Sequence, residues 1–109
     1  MSVYLDYNAT TPVDPRVAEV VMHYMTEEYG NAGSRTHDYG LRAKQAVQHA
    51  REQVANVVSA ARDEVLFTSG ATESNNIAIL GLAAHANEVG RQHIVSTASE
   101  HKAVLEPAE

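Results

Sequence analysis

Residues 68–76 (TSGATESNN) carry the small, hydroxyl-bearing and amide side chains of this sequence that are best suited to bind an anion. They lie between two apolar runs, at residues 64–68 and 77–86. The first run has the length and β-branched content of a buried strand, and the second is long enough for a buried helix. The polar residues are therefore predicted to form a strand-to-helix turn. A helix that begins there offers unpaired N–H groups and the positive end of its dipole to a phosphate.

Three residues of this turn strengthen the expected anion site. Gly70 lets the backbone approach an anion closely, and the hydroxyl groups of Ser69 and Thr72 can add hydrogen bonds. A helix start that is only capped, and that binds no ligand, explains the same residues equally well. Both interpretations stay open on this pattern alone.

The elements that must position the turn alternate between helices and strands. Asp14-Pro15 begins a helix predicted at 14–29, and helical spacing of apolar residues predicts a second one at 38–60. A strand at 64–68, a buried helix at 72–87 and a strand at 93–97 follow. This order predicts an α/β fold with a mostly parallel sheet covered by helices. Because two strands leave open sheet edges and an incomplete core, we expect this chain to be part of a larger domain.

Composition excludes several classes of function. The chain has 109 residues, a net charge of −6 and no basic run, which argues against a nucleic-acid surface. No apolar run reaches the roughly 20 residues of a membrane span, and no signal peptide is recognisable, so we expect a cytoplasmic protein. Without cysteine there is no disulfide or thiolate metal site, and the histidine spacing predicts no metal site.

Four motifs occur along the chain, at residues 4–12 (YLDYNATTP), 30–37 (GNAGSRTH), 67–75 (FTSGATESN) and 100–105 (EHKAVL). Together they resemble the N-terminal quarter of a cysteine desulfurase. This family consists of pyridoxal-phosphate enzymes of the class-V aminotransferases, with the aspartate-aminotransferase fold (fold type I). The resemblance implies an N-terminal arm at 1–13 and the first part of the pyridoxal-phosphate-binding large domain at 14–109.

The resemblance assigns roles to individual residues. Ala71 and Thr72 match the residues that hold the cofactor phosphate, in agreement with the helix-start argument. His101 matches the histidine that stacks on the pyridine ring, and it is a candidate for proton transfer during the reaction. His37 would border the active site and the arm residues Asn8, Thr10 and Thr11 would lie near the substrate, although an exposed polar loop explains these four residues as well.

Residues that the reaction also needs are not found in this sequence. Lys102 lies in a Ser-x-His-Lys sequence like that of the family's Schiff-base lysine, but in the family that lysine comes much later in the chain. The catalytic cysteine and the aspartate that pairs with the pyridine nitrogen are likewise expected elsewhere. We therefore expect this chain alone to be inactive.

Ala32-Gly33 replaces the Pro-Ser or Pro-Ala that is usual in the family at this position. Because proline restricts the backbone, its absence predicts a less rigid loop.

The resemblance implies the reaction of the full-length enzyme. It would remove sulfur from L-cysteine and give L-alanine and an enzyme-bound persulfide, for iron–sulfur cluster assembly or tRNA thiolation. It would act as a homodimer with a sulfur-acceptor or scaffold protein. Two alternatives stay open: a related fold-type-I enzyme such as a selenocysteine lyase, and a non-catalytic truncated product.

Overall fold

In the computed structural model, which describes residues 2–109, all regular secondary structure is helical. Helices α1 (Pro15–Thr26), α2 (Asp38–Val58), α3 (Ala71–Glu88) and α4 (Lys102–Ala108) follow in order, with a 3₁₀ turn at Arg62–Glu64. The chain divides into two units, the first ending at Val65 and the second covering Leu66–Glu109.

Local signals account for the helices of the first unit. The Asp14 side chain accepts a hydrogen bond from the Arg16 N–H at 2.9 Å, and Pro15 takes the first helical position of α1. Helix α1 ends at Thr26, three residues before the predicted end. Helix α2 ends at Val58, because Ser59 adopts a left-handed conformation with φ of 55° and stops the helix.

The loop before α2 is closed by hydrogen bonds, although it lacks the proline that the resemblance led us to expect there. The Gly33 N–H donates to Asn31 Oδ1 at 2.8 Å, and the Ser34 N–H donates to the Asn31 carbonyl at 2.9 Å. Gly40 is buried against this loop, and a Cβ there would lie 2.7 Å from the Ser34 carbonyl oxygen. The absence of proline predicted a less rigid loop, but the hydrogen bonds of the Asn31 turn hold the loop closed.

The second unit consists of α3 with the short helix α4 packed against it. Its buried residue is Ala103, on α4. The helix predicted at 72–87 is confirmed, but the prediction that it is buried is wrong for this structure. Ile77, Leu80 and Leu82 are 44%, 56% and 62% exposed, because α4 is too short to cover a helix with apolar residues on several sides.

The two predicted strands are absent from residues 2–109. Glu64 belongs to the 3₁₀ turn, residues 65–68 have no regular structure, and residues 93–97 are also irregular. Val95 is 96% exposed, in contrast to the buried position expected of a strand in a covered parallel sheet. A strand forms only when a neighbouring strand pairs with its backbone, and these two segments do not pair with each other. The mostly parallel sheet is therefore not confirmed here and stays a prediction.

Candidate functional site

The turn at residues 68–76 leads directly into α3, as the sequence predicted. Helix α3 begins at Ala71, and the residue before it, Gly70, has an extended backbone with φ of 162°. A Cβ at residue 70 would meet no atom of residues 2–109 within 4 Å, so the space beside it is open in the part of the chain that the structure describes. Neither backbone conformation nor crowding within the chain requires a glycine here, whereas close approach of a ligand would.

Helix α3 lacks the side-chain cap that the other α-helices have. Side chains of Asp14, His37 and His101 accept backbone N–H groups in the first turns of α1, α2 and α4, but Gly70 has no side chain to do this. Within residues 2–109, the N–H groups of Ala71 and Thr72 and the Thr72 hydroxyl have no hydrogen-bond acceptor. These three donors and the helix dipole suit a phosphate group.

The carbonyl of Gly70 is held from several sides. It accepts a hydrogen bond from the Ser74 N–H at 3.1 Å, and the hydroxyl oxygens of Thr68 and Ser74 lie 3.1 Å and 3.2 Å from it. These two oxygens are 2.7 Å apart, so one hydroxyl donates to the other and the second donates to the carbonyl. Hydroxyl side chains of the motif thus fix the backbone of the turn.

Ser69 does not have the role that its hydroxyl suggested. Its Oγ donates to Glu73 Oε2 at 2.8 Å, and its backbone N–H donates to the same oxygen at 2.6 Å. These hydrogen bonds, the backbone one first, hold the pKa of the Glu73 carboxyl below its ordinary value, so that Glu73 is charged at neutral pH. The predicted hydrogen bond from Ser69 to an anion is therefore replaced by one to Glu73, which sequence reasoning missed. Its only sequence signal is the four-residue spacing across a helix start.

His101 caps α4 with its own ring. Its Nδ1 accepts a hydrogen bond from the Ala103 N–H at 3.1 Å, so that in the neutral ring Nε2 must carry the hydrogen. The imidazole therefore has a defined tautomer and a ring orientation set by the helix start. His101 lies in the same unit as Ala71 and Thr72, and all three residues stand at the N-termini of the two helices that pack together.

His37 has a similar position at α2, but it does not form a nucleophilic pair with Ser34. The Ser34 oxygen and His37 Nε2 are 3.0 Å apart, the distance expected of a serine activated by a base. However, His37 Nδ1 accepts the Gly40 N–H at 3.1 Å, which leaves the hydrogen of the neutral ring on Nε2. Nε2 then donates to Ser34 and cannot remove its proton. The pair closes the loop onto α2.

The remaining predicted residues have no contact within residues 2–109 that points to a ligand. The Thr10 hydroxyl in the N-terminal arm contacts the Tyr4 hydroxyl at 2.6 Å, and Asn8 is exposed in a turn. Lys102 is the first residue of α4. No group of three His, Asp or Glu side chains in residues 2–109 is arranged to hold a metal ion. None of the helices in this part of the chain is long and apolar enough to cross a bilayer.

Comparison with known proteins identifies the family. The model of the family "Aminotransferase class-V" matches residues 3–109. The chain belongs to the class-V aminotransferases. This confirms the family that the four motifs predicted.

Two relatives that are similar to this chain are both named cysteine desulfurase. The chain is similar to the cysteine desulfurase IscS of Anaeromyxobacter sp. (strain K), with 52% identity over 104 residues that cover 95% of this chain and 26% of the relative. It is also similar to the IscS of Shewanella sp. (strain ANA-3), with 55% identity over 108 residues, 97% of this chain and 26% of the relative.

A solved structure is similar to this chain in fold. A "NIFS-like protein" superimposes with a TM-score of 0.85 and 44% identity over 98% of this chain and 29% of that protein. The chain thus spans about a quarter of the length of the curated relatives that it matches.

Proposed function

We propose that this chain is the N-terminal, cofactor-phosphate-binding part of a pyridoxal-phosphate-dependent cysteine desulfurase. The observation that carries the proposal is the uncapped start of α3, where the N–H groups of Ala71 and Thr72 are free within residues 2–109 at the positions that the family motif assigns to the phosphate. The relatives named cysteine desulfurase support this reaction over that of a selenocysteine lyase.

The residues present fit the phosphate of the cofactor. The Ala71 and Thr72 N–H groups and the Thr72 hydroxyl can donate to phosphate oxygens, and the missing Cβ of Gly70 leaves room for them. No side chain of residues 2–109 competes for these three donors. The chemistry that pyridoxal phosphate supplies when bound is an electron sink for the pair freed by deprotonation of an amino acid at Cα.

His101 contributes a planar ring and a proton at a defined atom. Because Nδ1 is engaged by the Ala103 N–H, the flat imidazole is held in place to stack on the pyridine ring, and Nε2 is the atom that holds or exchanges a proton. The hydrogen bond to α4 thus orients the ring without consuming Nε2.

The remaining parts of the reaction belong to the full-length protein. The sequence has no cysteine, so the thiolate that takes the sulfur and forms the persulfide must come from outside these residues. Its lysines are Lys44, inside α2, and Lys102, beside His101, and we assign the Schiff base to neither. We further propose that the full-length enzyme is a cytoplasmic homodimer that passes sulfur to an acceptor or scaffold protein.

The test is a comparison of the full-length protein with the 109-residue chain. We expect the full-length protein to bind pyridoxal phosphate, with a visible absorbance band, and to release L-alanine from L-cysteine in amounts equal to the sulfur transferred. The 109-residue chain should release none. A full-length protein that binds the cofactor but acts on selenocysteine and not on cysteine would contradict the proposed reaction.

A further inference from the structure

Glu73 reaches back across the start of α3 to the residue on the far side of Gly70. Its Oε2 accepts both the Ser69 N–H, at 2.6 Å, and the Ser69 hydroxyl, at 2.8 Å. One carboxylate oxygen therefore joins the third residue of the helix to the second residue before it. The turn is closed around Gly70, which has no side chain of its own to hold it.

The hydrogen bonds of this turn together determine where the Ala71 N–H points. The peptide group between Gly70 and Ala71 is planar and trans, so its C=O and N–H point in opposite directions. The carbonyl is held toward the helix by the Ser74 N–H and by the hydroxyls of Thr68 and Ser74. The Ala71 N–H must therefore point away from the helix, out of its N-terminal end. Glu73 holds the peptide group between Thr68 and Ser69 through the Ser69 N–H, and it also holds the Ser69 hydroxyl. The chain is therefore anchored on both sides of Gly70, at Ser69 before it and at its own carbonyl after it.

If it acted alone, the negative charge of Glu73 would weaken the binding of a phosphate. A carboxylate in the first turn interacts well with the helix dipole, but it repels a phosphate bound at the same helix start. A site selected only for attraction would not place an ionised carboxylate there. The two hydrogen bonds to Ser69 are the contribution that offsets this repulsion.

We propose that Glu73 is a positioning residue for the cofactor phosphate: by holding Ser69, it keeps the Ala71 and Thr72 N–H groups directed at the phosphate. This inference rests on the proposed function, since it concerns the same helix start. Glu73 itself donates no hydrogen bond to the phosphate.

The experiment uses two variants of Glu73 in the full-length protein, Glu73→Gln and Glu73→Ala. Each is titrated with pyridoxal 5′-phosphate and, separately, with pyridoxal, which lacks the phosphate. Glutamine keeps an acceptor for Ser69 but loses the charge, whereas alanine loses both. Glu88→Ala is the matched control, because Glu88 is the last residue of the same helix, about 22 Å away along its axis.

We expect the affinity for pyridoxal 5′-phosphate to fall about tenfold in Glu73→Ala and by less in Glu73→Gln. Pyridoxal affinity should stay unchanged in both, and the ³¹P signal of the bound cofactor should move in both. Ser69→Ala should weaken phosphate binding in the native protein and have a smaller effect when added to Glu73→Ala, because the shared hydrogen bond is already lost.

Three results would overturn the inference. Tighter binding of pyridoxal 5′-phosphate by both Glu73 variants would show that charge repulsion dominates. Equal losses for pyridoxal and its phosphate would show that Glu73 only supports the fold. Failure of the native full-length protein to bind pyridoxal 5′-phosphate at all would instead remove the proposed function, and this inference with it.

Discussion

Thr72 brings two donors to the helix start, its backbone N–H and its hydroxyl, and neither has an acceptor within residues 2–109. Its carbonyl is engaged separately, by the Asn76 side-chain amide at 2.8 Å. The hydroxyl is therefore available to a ligand without disturbing a bond inside the protein. At the scale of single residues, substitution of Thr72 is therefore the most direct test of the proposed phosphate site.

Thr72→Val should weaken the binding of pyridoxal 5′-phosphate by the full-length protein about tenfold, because one hydrogen bond to a charged group is lost while the side-chain shape is kept. Thr72→Ser keeps the hydroxyl and should bind almost as tightly as the native protein. Fluorescence titration measures both. Native affinity in Thr72→Val would show that the hydroxyl does not contact the phosphate.

His101 has two roles that substitution can separate. Asparagine is a good N-cap residue and can accept the Ala103 N–H, so His101→Asn should keep the start of α4 while it removes the ring. We expect kcat of the full-length enzyme to fall by at least about a hundredfold, with α4 intact by hydrogen exchange. His101→Ala should lose both activity and protection of α4. Full activity of His101→Asn would show that the imidazole takes no part in the reaction.

The interaction of Asp14 with Arg16 at the start of α1 depends on pH. The Arg16 side chain, and then the Arg16 backbone N–H, hold the pKa of Asp14 below its ordinary value. The folded pKa is the lower one, so this interaction stabilises α1 above the ordinary pKa of aspartate, and the stabilisation is lost as the pH falls through the lowered value. NMR titration should show that Arg16→Gln raises the Asp14 pKa, whereas Arg35→Gln, which changes an arginine without a contact to Asp14, should not. An unchanged pKa in Arg16→Gln would contradict this pairing.

At the scale of helices, two glycines in helical positions have opposite surroundings. A Cβ at Gly40 in α2 would lie 2.7 Å and 2.8 Å from the Ser34 carbonyl oxygen and Cβ. A Cβ at Gly81 in α3 would meet no atom of the described residues within 4 Å. The loop before α2 can therefore pack closely on α2 only because residue 40 has no side chain. In α3, no packing contact within residues 2–109 requires a glycine at position 81.

We expect Gly40→Ala and Gly81→Ala to change the helix content of the 109-residue chain in opposite directions. Alanine favours a helix over glycine by about 1 kcal/mol, so Gly81→Ala should raise helical circular dichroism. Gly40→Ala should lower it, because the clash with the backbone of Ser34 must displace the loop. A rise in both variants would show that the loop does not pack on Gly40 in solution.

At the scale of the whole chain, little apolar surface is buried. The buried apolar residues among 2–109 are three alanines, Ala43, Ala55 and Ala103. Larger apolar side chains on α1 and α3 are exposed, including Val17, Val20 and Leu82. Burial of this kind supplies too little hydrophobic stabilisation to offset the conformational entropy of ordering residues 2–109.

The isolated 109-residue chain should therefore unfold over a broad temperature range and bind a dye that detects exposed apolar surface. In the full-length protein, we expect the same residues to be covered and to unfold in a sharp transition. Calorimetry and dye fluorescence measure the difference. A sharp transition of the isolated chain, with protected amides at residues 64–68 and 93–97, would contradict this expectation.

Much of this protein can be read from short stretches of sequence. The Asp14-Pro15 start of α1, the position of α2 and the turn into α3 were predicted because capping, proline geometry and helical periodicity act between residues a few positions apart. The family was predicted from four motifs, and the match over residues 3–109 confirms it. The assignments of Ala71, Thr72 and His101 to the cofactor stay predictions.

Other features depend on which groups meet in space, and no local pattern specifies that. The apolar runs at 64–68 and 93–97 have strand-like composition, but a strand requires a neighbour, and neither run has one within residues 2–109. The Ser69 hydroxyl had the right chemistry for an anion, yet the structure places Glu73 within 2.8 Å of it. Hydrogen bonds to Gly40 and Ala103 likewise select the tautomers of His37 and His101. Residue types determine which bonds are possible, and the folded backbone determines which are made.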